Sequence, residues 1–127
     1  MEAQCEIAAD TGERHEVNGL VALARAEALR CGLEALPCWV DRLEGARALR
    51  AGDTEGAIEF FRRASLGFER LGARWDLARS DLALAQALKD SGQAEEAAAV
   101  LQSGIAFFSE VGAKPEHEAA LRIRRVS

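Results

Sequence analysis

Apolar and polar positions along the chain recur at one constant step: Val17, Ala57 and Ala97; Leu20, Phe60 and Val100; Val21, Phe61 and Leu101; Ala24, Ala64 and Gly104; Cys31, Leu71 and Val111. Six glycines keep the same step in two ladders, Gly12, Gly52 and Gly92, then Gly32, Gly72 and Gly112. Self-similarity at such a period marks a series of supersecondary units that bury their apolar faces only against neighbours. Inside one unit the spacing is helical, since Ala57, Phe60, Phe61, Ala64 and Phe68 fall on one face. The pattern predicts a helix from Thr54 to Leu71, with counterparts from Glu13 to Cys31 and from Ala94 to Val111. Glycine after each supplies the left-handed residue that ends a helix.

The intervening stretches carry a second helical set: Leu36, Trp39, Val40, Leu43, Ala46 and Leu49 in one, Trp75, Ala78, Leu82, Ala85 and Leu88 in the next. Their best register falls one position short of the glycine step, and a difference of one between the Arg50 to Asp53 and Lys89 to Gln93 turns is expected to absorb it. Pro37 and Pro115 lie near helix starts, where the missing amide donor costs nothing. A short helix from Ala3 to Asp10 and a last one from Pro115 to about Arg125 complete about seven helices. Short turns make neighbours antiparallel, so the expected fold is all-α, an open solenoid of helical hairpins. Its units run about 1–33, 34–73 and 74–113, with a final helix at 115–127, in one domain read as a fragment of a larger chain. Phe60, Phe61, Phe68, Phe107, Phe108, Trp39 and Trp75 are the expected core positions of highest cost on truncation.

Composition narrows the functional classes. The 127 residues are 49% apolar and 29% charged, a globular balance rich in alanine, and the net charge of -5 excludes a surface built chiefly for nucleic-acid phosphates. Arg122, Arg124 and Arg125 form the one basic cluster and read as a solvated helix end. Cys5, Cys31 and Cys38 lack the paired spacing of a zinc knuckle or redox motif and read as small buried side chains in a reduced compartment. No early apolar core of a signal peptide and no bilayer-length apolar run is present, so the expected localisation is cytoplasmic and no membrane partner is expected.

Catalysis is not expected. His15 and His117 are the only imidazoles, and Glu116-His117-Glu118 lacks a second ligand at helical spacing for zinc. The glycines are spread along the chain at the repeat step rather than clustered beside a lysine, so no phosphate-cradling loop is expected either. The reading is a non-enzyme without cofactor or metal.

The run Gly52-Asp53-Thr54-Glu55-Gly56-Ala57-Ile58-Glu59-Phe60-Phe61-Arg62-Arg63-Ala64 resembles the second helix of a tetratricopeptide repeat, with Ala57, Phe61 and Ala64 matching the signature. Gly92-Gln93-Ala94-Glu95-Glu96-Ala97, followed by Leu101, is a looser copy, and Gly12 to Ala24 a degenerate one. Trp39, Leu43 and Gly45 only approximate the first-helix signature, and the step from Gly52 to Gly92 exceeds the usual repeat length. The phrases Phe68-Glu69-Arg70-Leu71-Gly72-Ala73-Arg74 and Phe107-Phe108-Ser109-Glu110-Val111-Gly112-Ala113-Lys114-Pro115 resemble the long repeats of bacterial signalling ATPases, maltose-activator-type transcriptional regulators and proteins linked to nucleotide cyclase domains.

This resemblance implies a right-handed solenoid that binds a protein or peptide on a concave face lined by the first helix of each hairpin. By position the face comprises Arg42, Leu49, Arg50, Arg79, Leu82, Gln86 and Lys89, with Ala46 between them. Two alternatives stand beside it: self-association, with a homodimer through an N-terminal hairpin uncapped around Ile7 and Leu20, and sensing of a small effector.

Overall fold

The computed structural model of the protein describes residues 14–126, and the side chains of 22–124. Six α-helices and one 3-10 turn follow one another among these residues: α1 (Arg14–Cys31), the turn Gly32–Ala35, α2 (Leu36–Arg50), α3 (Thr54–Leu71), α4 (Arg74–Asp90), α5 (Ala94–Val111) and α6 (Lys114–Val126). The expected helix from Ala3 to Asp10 lies outside the described residues, as do the side chains of Val17, Leu20 and Val21.

The boundaries of α1, α3 and α5 advance by the sequence period, 14 to 54 to 94 at the start and 31 to 71 to 111 at the end. The turns repeat with them. Gly72 and Gly112 close α3 and α5 at φ of 71° and 75°, each followed by an alanine whose amide donates back to the carbonyl of Phe68 or Phe108. Only glycine holds that left-handed conformation without a Cβ penalty. At the other turns, Asp53 N donates to Ala48 O and Gln93 N to Leu88 O. Asp53 also caps α3, its carboxylate accepting from Gly56 N at 3.0 Å.

These turns correct the shortened register expected for α2 and α4. Ala51–Asp53 and Ser91–Gln93 are equal in length and carry equivalent hydrogen bonds, so no turn absorbs an insertion. The buried positions of α2 and α4 pair Cys38 with Ala78 and Gly45 with Ala85, which is the full glycine step. Small residues, not the large apolar ones, mark the packed face of α2. Its glycine is demanded by its neighbour: a Cβ on Gly45 would stand 2.6 Å from Phe61 Cε1.

Successive helices from α2 to α6 pack side by side and, with only short turns between them, alternate in direction. Side-chain ties also join helices two apart: Arg42 to Asp76 between α2 and α4, and Arg62 to Glu96 between α3 and α5, at 2.7 Å. The largest core cluster gathers Ala57, Ile58 and Phe61 of α3 with Leu84, Ala85 and Leu88 of α4, Ala97 and Leu101 of α5, and Ala120 and Ile123 of α6. A second surrounds Phe68 with Cys31, Ala35, Cys38, Ala64 and Ala73. Of the aromatic positions expected to anchor the core, Phe61, Phe68 and Phe108 are buried. Phe60, Phe107, Trp39 and Trp75 are only half-buried, Trp39 against the second cluster and Trp75 and Phe107 against a third of Ala78, Phe108 and Ala113.

The end of α1 docks on the turn between α3 and α4. Arg30 donates to Leu71 O at 3.0 Å and Gly72 O at 2.6 Å, while buried Glu27 accepts from Trp75 N at 2.9 Å and Arg74 Nε at 3.3 Å. A cation on the carbonyl end of α3 and a carboxylate on the amide end of α4 complement both helix dipoles.

Candidate functional site

The residues proposed for a concave binding face all lie on α2 and α4, but most are engaged within the fold. Arg42 pairs with Asp76 Oδ1 at 3.3 Å, and its guanidinium sits 5.7 Å from the Phe68 ring centroid. Burial lowers its pKa from the ordinary arginine value, with Asp76 opposing that shift. Leu49 and Leu82 pack against the main core cluster. Gln86 Nε2 donates to Asp90 Oδ1 at 2.9 Å on its own helix, and Lys89 is half-buried in the last turn of α4. Arg50 and Arg79 are exposed, Arg79 resting 6.0 Å from the Trp75 ring. The structure thus brings Arg42 and the two leucines into helix packing and leaves two arginines of the set facing solvent.

A different surface is open. Leu36, Val40 and Leu43 project outward from α2, at 50%, 48% and 69% exposure, beside Leu33 at 85%. Their equivalents one repeat later are Asp76, Ser80 and Ala83, and after a second repeat Glu116, Ala120 and Ile123. There the face is more covered: Ser80 and Ala120 are wholly buried and Ile123 is 7% exposed, while Asp76, Ala83 and Glu116 are half-buried. Among the described residues, nothing covers the equivalent face of α2.

The adjoining groove follows the same pattern. Between α2 and α3 lies an open groove of about 510 Å³, lined by Pro37, Cys38, Asp41, Leu66, Gly67 and Arg70 among others. Leu66 on its wall is 61% exposed. Its equivalent between α4 and α5, with Leu77, Ala78 and Asp81 in the places of Pro37, Cys38 and Asp41, is reduced to about 160 Å³. There α3 is the neighbour, for Ser65 Oγ donates to Asp81 Oδ1 at 2.8 Å. Burial pushes the Asp81 carboxyl up to about 6, against the stabilising Ser65 hydrogen bond and helped by Glu69.

Among the described residues, no group of three or more His, Cys, Asp or Glu side chains is arranged to hold a metal ion. Cys31 and Cys38 are buried and free, as small core side chains. Burial pushes the Cys38 thiol up, and the Asp41 carboxylate adds to this. His117 is half-buried on α6, while the side chain of His15 lies outside the described set. No described helix is long and apolar enough to cross a membrane.

Periodicity read within α2 alone takes Leu36, Val40 and Leu43 as the core stripe, and so misses the open face. The signal was present across repeats: an acid, a serine and an alanine stand where α2 carries two leucines and a valine. Compared with protein-family models, curated proteins and solved structures, the chain matches none.

Proposed function

We propose that the protein is a tetratricopeptide-like module, a right-handed solenoid of helical hairpins, that binds a helical segment of a protein or peptide on the bare face of its α2–α3 hairpin. The setting is a cytoplasmic bacterial signalling or transcriptional regulator, in keeping with the sequence resemblance. One observation carries the reading: among the described residues the face formed by Leu36, Val40 and Leu43 is open on α2, whereas Ser80, Ala120 and Ile123 at equivalent positions are buried. Periodicity in helix bounds, turns and glycine conformations supports the solenoid. An exposed apolar surface of this kind, rimmed by Glu34, Arg63 and Arg70, is the usual mark of a protein-binding site.

Selection of a displayed peptide library against the immobilised protein tests it. Amphipathic helical sequences are expected to enrich, and to lose binding to Leu36→Asp and Leu66→Asp variants but not to Arg79→Glu. Loss with Arg79→Glu alone would favour the concave face instead. Failure of any peptide to enrich above a scrambled pool would refute both.

A further inference from the structure

Leu33, Leu36, Val40 and Leu43 follow one another at alternating spacings of three and four, the spacing of a seam between paired helices. All four are exposed, from the 3-10 turn through two turns of α2. The charges beside them are graded along the same helix. Exposed Glu34 stands at its start, whereas Arg50 and Arg47 occupy its last turn, Arg47 at 75% side-chain exposure and loosely paired with Glu44 at 3.7 Å.

We infer that a second copy of the chain covers this face, the two α2 helices pairing antiparallel about a two-fold axis near Val40. Such a pairing sets the Glu34 end of each helix against the Arg47 end of the other, so both rims are complementary. It also opposes the two helix dipoles. A parallel pairing would bring acid to acid and base to base. The contact is closed, since the same patch serves on both protomers, and it ends as a dimer rather than a filament. Arg42 stays outside it, held by Asp76 and Phe68. The dimer differs from one formed around Ile7 and Leu20, because its seam lies wholly on the turn and α2.

This inference rests on the reading of the α2 face as a docking surface, and sedimentation equilibrium separates the two. For the whole chain, from about 1 μM to 1 mM, a monomer–dimer equilibrium is expected. Val40→Asp and Leu43→Asp are each expected to weaken dimerisation by about a hundredfold, as central buried positions do. Glu34→Arg and Arg47→Glu singly are expected to weaken it roughly threefold to fivefold, and together to restore it. Unchanged far-UV circular dichroism and melting show that these exposed substitutions leave the fold intact. A monomer throughout the range overturns the inference, as does a dimer that ignores Val40→Asp and Leu43→Asp. Loss in both single charge variants without recovery in the pair overturns the antiparallel geometry. If the chain stays monomeric while selected peptides still bind through Leu36 and Leu66, the dimer falls and the docking surface stands.

Discussion

Asp81 offers the sharpest quantitative check on the packing of α3 against α4. Its carboxyl is held largely out of water and pushed up to about 6, although Ser65 Oγ donates to it at 2.8 Å. The folded state therefore grips the proton more tightly than the unfolded chain, whose aspartate titrates at 3.8. A carboxyl raised in this way contributes stability that is fully present below the unfolded value and is lost as pH rises through the folded one. A displacement of about two pH units, at roughly 1.4 kcal/mol each, corresponds to about 3 kcal/mol, and partial solvent access brings this to about 2 kcal/mol.

Asp81→Asn removes the charge while its amide oxygen still accepts from Ser65. In urea titrations at a series of pH values, the variant is expected to exceed the parent by about 2 kcal/mol at pH 8, with the two curves converging near pH 4. Other carboxylates titrate in both proteins, so the difference isolates Asp81. A pH-independent difference, or a variant less stable at pH 8, would refute the assignment of a dry, charged-state-disfavouring site. Carbon-detected NMR of the Asp81 carboxyl gives an independent midpoint, and a value near that of free aspartate would do the same.

Other substitutions probe the remaining contacts. Gly45→Ala should destabilise by about 1–3 kcal/mol because its methyl meets the buried Phe61 ring, although helix propensity alone favours alanine by about 1 kcal/mol; a raised melting temperature would reverse the argument. Phe68→Ala should lower stability by about 3–5 kcal/mol in denaturant melts and Phe60→Ala by clearly less, in line with their burial. Ser80→Ala should stabilise by about 1 kcal/mol, since the buried hydroxyl has no partner among the described residues and the equivalent position already carries Ala120; loss of stability would show that the hydroxyl is satisfied. Glu27→Ala should release the end of α1 and speed hydrogen exchange at the Trp75 amide, with α5 and α6 unchanged.

What the chain discloses unaided follows from what repeats constrain. Helix ends are set locally by Gly72, Gly112 and Asp53, so the starts and stops of α1, α3 and α5 were legible to within a residue. The face of α2 was not. Hydrophobic spacing reports which residues share a face, and α2 has two candidates, one of leucines and valine and one built on Cys38 and Gly45. Choosing between them requires Phe61, which fills the space that Gly45 leaves, and that contact lies across two helices. The internal contacts of the concave set were hidden for a related reason. A polar residue on a helix reads alike whether it meets solvent or an ion pair, and only the approach of Asp76 shows that Arg42 is spent on joining α2 to α4.

The divergence among equivalent positions then acquires a physical sense. At the Val40 register, where Ser80 and Ala120 are wholly buried, the side chain shrinks to serine or alanine because a larger one would force the layers apart, while at the Leu43 register the buried Ile123 keeps its size. At Val40 and Leu43 no such limit acts among the described residues, and the side chains are large. A position freed from packing and left to solvent alone would drift toward charge, since an exposed leucine gains nothing from water. Three successive seam positions that are both unconfined and apolar are therefore better explained by a surface that is buried in use.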